Sequence, residues 1–159
     1  MTVVSNASPL IILYNCGMLG LLQQLFGHVF IPEAVHHEVV HNAKDRQQSV
    51  TITGSDFISV RPIATTNFAF THKLDRGEQE AIILTSEVQA DYLLLDDKRA
   101  QKEAKEQKIV FIPTFAILVK AVQKGFIPDL DAILAKLGQK NIFLNRELNL
   151  AVHDFLESS

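Results

Sequence analysis

Tyr92-Leu93-Leu94-Leu95-Asp96-Asp97-Lys98-Arg99 decides how the rest of the chain is read. Tyr92–Leu95 is a short apolar run, as a central strand of a parallel sheet is when both its faces are buried. Two carboxylates stand at its carboxyl end, and a polar helix follows from about Lys98 to Gln107. Working outward, further strands are predicted at Thr2–Ser5, His28–Ile31, Phe57–Val60 and Ile109–Ile112. Ser8 before Pro9 reads as an N-cap and first helical residue. Pro32 opens a helix through about Gln47. Asp75 with Glu78 three residues on makes a capping-box start for a helix through about Gln89. Pro113 opens another that ends at Gly125, and two more are predicted near Pro128–Leu137 and Asn145–Leu156. The alternation argues an α/β domain with a mostly parallel five-stranded sheet and a helical C-terminus. In such sheets chemistry gathers at the carboxyl ends of the strands, where strand order reverses.

Length and composition agree. The 159 residues suit one domain, with about 126–159 as a helical extension packed on it. Hydrophobic residues make up 47%, enough for a sizeable core. A net charge of −3 argues against a sequence-blind polyanion binder of the histone kind. The single cysteine, Cys16, excludes an intrachain disulfide and a Cys-rich zinc site and suits a reducing cytoplasm. Neither a signal peptide nor a membrane span is predicted.

The acids carry the chemical reading. Asp96 and Asp97 repel each other, and a bound hard cation relieves this because such ions prefer carboxylate oxygens. A helix N-cap with a first-turn acid explains the pair as well. Asn6, after the first strand, stands where a metal-binding Asp is anticipated; its amide oxygen ligates without charge, and it also suits a turn. Glu38 flanks the apolar face marked by Val35 and Val39, and Glu80 flanks Leu84. Taken singly, each reads as surface. Together they supply the several converging oxygens that hard-cation chemistry on nucleic acid requires, and clustered acids raise one another's pKa.

Two other patterns compete. His37-Glu38-Val39-Val40-His41 matches H-E-x-x-H, the spacing of zinc peptidases. On the helical wheel, however, both imidazoles point away from Val35 and Val39, towards solvent. Lys98 to Lys108 holds five basic residues, and Lys98 and Arg99, nearest the paired acids, are candidate phosphate contacts.

The ordered pieces Val4-Ser5-Asn6-Ala7-Ser8-Pro9-Leu10-Ile11, Ile31-Pro32-Glu33-Ala34-Val35 with Glu38, Gly77-Glu78-Gln79-Glu80-Ala81-Ile82 and Leu93-Leu94-Leu95-Asp96-Asp97-Lys98-Arg99 resemble the PIN-domain family, in a prokaryotic PIN-like branch. Gly125-Phe126-Ile127-Pro128 and the 143–148 segment add to the resemblance. It implies a PIN-like three-layer α/β/α domain and a Mg²⁺- or Mn²⁺-dependent ribonuclease, the toxin of a toxin–antitoxin pair. It also implies RNA, a small antitoxin and a second copy of the chain as partners. The family's acidic set falls on Asn6, Glu38, Glu80 and Asp97, with Asp96 an alternative for the last; Ser8 and Thr114 become hydrogen-bonding helpers for substrate. The family usually has Asp where this chain has Asn6. A catalytically inactive RNA- or partner-binding module is therefore a second reading, and the H-E-x-x-H peptidase a third.

Overall fold

The computed structural model describes residues 1–128, 131, 135 and 150–158. Five strands, β1 (Val3–Ser5), β2 (Val29–Ile31), β3 (Ile58–Val60), β4 (Tyr92–Leu94) and β5 (Phe111–Ile112), form one sheet in the order β3-β2-β1-β4-β5. Every pairing is parallel. Strand order therefore reverses between β1 and β4, whose carboxyl ends lie side by side, with Ser5 opposite Leu94.

The helices are α1 (Ala7–Asn15), α2 (Leu21–Phe26), α3 (Glu33–His41), α4 (Arg46–Thr53), α5 (Arg76–Val88), α6 (Lys98–Glu106), α7 (Thr114–Gln123) and α8 (Leu150–Glu157). Side chains alternate across each strand, so the sheet splits the core in two. Val3, Leu94 and Ile112 join Leu10, Leu13, Val35 and Ile117 on one side. Val4, Leu93, Leu95 and Phe111 join Ala81, Leu84, Ala100 and Ala104 on the other. This is the three-layer α/β/α architecture, with helices on both faces as parallel sheets require.

Three local expectations are corrected. The N-cap of α1 is Asn6, not Ser8, and its side chain makes no capping hydrogen bond. The helix opened by Pro32 stops at His41 rather than near Gln47. Asp45 starts a new helix there by accepting from Gln48 N at 2.8 Å, an N-cap that ends one helix by favouring another. Between Gly20 and Gly27 the six-residue α2 was not anticipated. Most of the helix expected at Pro128–Leu137, and the whole 143–148 segment, lie outside the described residues.

Two further features position the site. Residues 61–74 run as an irregular strap from β3 to α5, with Ile63, Phe68 and Phe70 packed on the α5–α6 side of the core. At the other end of the chain, buried Lys120 donates from Nζ to Phe155 O at 2.9 Å and to Ser158 O, satisfying carbonyls at the end of α8. That helix packs on β5 and α7. No described helix is long and apolar enough to cross a membrane.

Candidate metal centre

The carboxyl ends of β1 and β4 open onto the amino ends of three helices. Asn6 begins α1, Asp75 begins α5 and Asp97 begins α6. Asn6 is held from the backbone, where its N–H donates to Leu94 O at 3.0 Å. Its side chain is buried at 6% exposure. Among the described residues, Asn6 Oδ1 is the one buried side-chain polar atom without a hydrogen-bond partner. An Asn at an N-cap ordinarily turns its oxygen onto the helix N–H groups. This one leaves an acceptor buried and unmade, at a cost of about 1–3 kcal/mol.

Gly77 shows where that oxygen faces. A Cβ built on Gly77 would stand 2.7 Å from Glu38 Oε1, 3.5 Å from Asp75 Oδ1 and 3.6 Å from Asn6 Oδ1. Oxygens from three separate elements thus lie near one point, and the missing side chain of Gly77 leaves the Glu38 carboxylate its place there. The site lies where α3 packs on α5.

Asp97 and Glu78 extend the group. Asp97 Oδ1 accepts from Ala100 N at 2.9 Å, the expected N-cap bond, while the residue stays exposed. Asp75 and Glu78 form a complete capping box, with Glu78 N donating to Asp75 Oδ1 at 2.8 Å and Asp75 N to Glu78 Oε2 at 3.0 Å. Yet Glu78 is only 8% exposed. Burial and the charges of Asp75 and Asp97, against a backbone hydrogen bond that lowers it, push its carboxyl up to about 7. Glu38 is raised for the same reasons, burial first and then Asp75. Burial first, and then the neighbouring charges of Asp75 and Asp97, thus disfavour ionisation of these carboxyls, a penalty that a cation beside them would relieve.

Asp96 behaves differently. Its Oδ1 accepts from Thr114 N at 2.7 Å, and its Oδ2 from Thr114 Oγ1 at 2.6 Å and Ser8 Oγ at 3.3 Å. Burial raises its pKa while those bonds oppose the rise. Ser8 and Thr114, expected beside substrate, are therefore occupied in tying Asp96 to the starts of α1 and α7.

Glu80, expected among the metal ligands, is placed elsewhere. Its Oε1 accepts from Ala34 N at 3.1 Å and its Oε2 from Arg76 Nε at 3.0 Å. It caps the amino end of α3 from across the helix interface. Two positions separate it from Glu78, about 200° around an α-helix, so the two side chains leave α5 in different directions. Asp75 stands beside Gly77 with Glu38 and Asn6, and Glu78 feels the charges of Asp75 and Asp97; in the sequence both read only as a capping box, a local pattern that says nothing of these neighbours.

Arg99 Nη1 donates to Lys73 O at 3.4 Å, placing it beside the strap's final turn before Asp75. Lys98, the other expected phosphate contact, is exposed in the first turn of α6, beside Asp97. His37 and His41 are exposed, with their rings stacked at 4.0 Å, while Glu38 between them turns inward. The H-E-x-x-H pattern thus splits across two faces of α3, and its glutamate does not stand with its histidines.

A family model described as PIN domain matches residues 2–157. The chain belongs to the PIN-domain family. A similar solved structure is a PilT N-terminus domain protein from the hyperthermophilic archaeon Sulfolobus solfataricus, with a TM-score of 0.57 and 20% identity over 77% of this chain and 94% of that one. At that identity the likeness speaks for the fold. A search of curated proteins returns no match. PIN domains are generally metal-dependent nucleases, and the residues present fit a divalent cation on structural grounds. The donors are all oxygens, one buried donor lacks any other partner, and the space between them is kept open by Gly77.

Proposed function

We propose that this PIN domain is a Mg²⁺- or Mn²⁺-dependent endoribonuclease. The observation that carries the reading is the unpartnered, buried Oδ1 of Asn6, which lies with the Glu38 and Asp75 carboxylates around Gly77. Asn6, Glu38, Asp75, Glu78 and Asp97 would hold the ion; Asp96, with both oxygens engaged by Thr114 and Ser8, fixes the geometry of the β1–β4 junction. A bound divalent ion supplies an activated water and stabilises charge on the leaving oxygen. The protein's own part is to gather the acids despite their repulsion, keep Glu78 and Glu38 partly out of water, and leave Asp97 exposed towards incoming substrate. Asn6 in place of a charged ligand makes the shell one negative charge weaker. RNA as substrate is supported by family membership and by basic residues bordering the acids.

The same reading makes the chain the toxin of a toxin–antitoxin pair, acting in the cytoplasm as a homodimer held by a small antitoxin. Its support is the resemblance of the sequence pieces to that branch. The test of function is cleavage of a mixed RNA pool with Mn²⁺, Mg²⁺ or EDTA, by the wild type and by Asp97→Asn. Cleavage only with metal, lost in the variant, is the expected result. RNA left intact at every metal concentration overturns the enzyme reading in favour of an inactive binding module.

A further inference from the structure

Arg76 sits between two walls of the acidic pocket, Asp75 and Gly77, and its side chain is 85% exposed. Its one recorded bond runs from Nε to Glu80 Oε2 at 3.0 Å. Glu80 is itself buried, with a 10% exposed side chain, and its other oxygen is fixed by Ala34 N across the α3–α5 interface. The guanidinium is therefore oriented by a carboxylate that cannot follow it into solvent. Neither Nη group has a partner among the described residues. An arginine held at Nε presents its Nη edge as a ready donor pair for a phosphate.

Helix stability does not account for Arg76 at this position. A cation in the first turn of α5 opposes the helix dipole. Arg before Glu at i,i+4 is the weaker order for a helical ion pair. So exposed a side chain returns little from its bond to Glu80. Along α3, Ala34 lies one turn before Glu38, about 6 Å away by helical rise. The Arg76–Glu80–Ala34 unit thus occupies the rim of the same seam whose next turn carries Glu38 and the opening at Gly77.

We propose that Arg76 binds a backbone phosphate of the polynucleotide substrate, next to the one at the acidic pocket, and that Glu80 is the positioning residue that aims it. This rests on the nuclease reading above. The pocket is strongly acidic and repels a phosphodiester strand, so a cation fixed one turn away offsets that repulsion where the strand enters. Glu80, read from sequence as a metal ligand, acquires a different role in the same reaction.

Initial cleavage rates on a fluorophore-labelled single-stranded RNA in Mn²⁺ test this at several salt concentrations. Arg76→Ala is expected to raise KM about tenfold with kcat within about twofold, the signature of lost binding rather than lost chemistry. The slope of log(kcat/KM) against log salt should flatten by about 0.7, one phosphate contact on a single strand. Arg76→Lys should restore the slope but only part of KM, having the charge without the fork. Glu80→Gln should raise KM in the wild type and add nothing to Arg76→Ala, because the two act as one unit. If Arg76→Ala folds poorly, the Arg76→Lys and Glu80→Gln pair decides. A wild type that cleaves RNA while the Arg76 and Glu80 variants keep its KM and salt slope overturns this proposal alone, leaving Arg76 as a counter-charge. A wild type that never cleaves overturns the nuclease reading and this one with it.

Discussion

Two groups of carboxylates, one at the strand ends and one beside the strap, have opposite characters. At the strand ends, Glu38 and Glu78 are pushed up by burial and neighbouring acids, and Asn6 Oδ1 has no partner. Beside the strap, His72, Glu103 and Glu106 each bring a possible ligand atom within 4.8 Å of the others, a tighter set on distance alone. But Glu103 Oε1 accepts from Thr71 N at 2.7 Å and His72 N at 2.9 Å, and its Oε2 from Gln107 Nε2 at 3.0 Å. Burial works against its charge, yet the bonds from Gln107, His72 and Thr71 prevail and hold it at about 2. Glu106 takes the Thr71 hydroxyl at 2.5 Å. Proximity of acids is thus a poor guide to a cation site. Glu103 has spent its lone pairs on pinning the strap, as exposed Glu87 does at Ala64 and Thr65. The strand-end acids have lone pairs left over and too few donors.

The sharpest way to break the contrast is to neutralise one acid in each group. Asp97→Asn should lower metal-dependent cleavage by about a hundredfold or more, the scale of losing a principal electrostatic group at a reacting centre, with a melting temperature close to that of the wild type. Glu103→Ala should do the reverse. It removes the acceptor of the Thr71 and His72 N–H groups, which are only part-buried, at about 1–2 kcal/mol in all, with the loss read by urea denaturation and kcat little changed once folded. Equal activity losses in the two variants would dissolve the distinction.

Metal response separates them next. Millimolar Mn²⁺ should raise the melting temperature of the wild type and of Glu103→Ala alike, because a ligand that binds only the native state stabilises it. The shift should shrink in a Glu38→Gln, Glu78→Gln double variant. A shift abolished by Glu103→Ala would move the metal to the strap.

Acidity gives opposite slopes. Glu78 moves from an ordinary 4.5 to about 7, so between those values the native state holds the extra proton, and metal-free stability falls as pH rises from 4.5 to 7. Glu103 moves down to about 2, so its contribution is complete above 4.5 and is lost as pH falls from 4.5 towards 2. Urea midpoints of Glu78→Gln and Glu103→Gln across pH 3–8 should each remove one of these slopes. The smallest effect belongs to the exposed histidines. His37→Ala with His41→Ala should leave cleavage within about threefold, and abolished cleavage there would revive the H-E-x-x-H reading.

Much of this was legible in the sequence, and the failures share a cause. The five strands were readable because short apolar runs, two of them ending in Asn6 and in Asp96-Asp97, suit the buried strands of a parallel sheet, whereas the β1–β4 pairing came only with the resemblance to the PIN-domain family. The start of α5 was readable from Asp75 and Glu78 alone, since a capping box is local. The break before Asp45 was missed although Asp45 and Gln48 carry a similar local signal, because the Pro32 helix was extended through it. The partners of Glu80, Ala34 N and the Arg76 side chain, are decided by how α3 meets α5, and the wheel, on which Glu80 reads singly as surface, shows neither its burial nor those bonds. Gly77 shows the same limit: its value lies in three oxygens from distant positions, which no window of sequence contains.

If Asn6 Oδ1 is a neutral ligand of a divalent cation, isothermal titration with Mn²⁺ should distinguish the wild-type protein from Asn6→Asp. One added negative charge among the ligands of a hard cation should tighten binding by about tenfold or more, some 1.4 kcal/mol, with stoichiometry unchanged and RNA cleavage rising alongside. The same Mn²⁺ affinity in both proteins would mean that residue 6 only shapes the turn into α1, and would contradict the account.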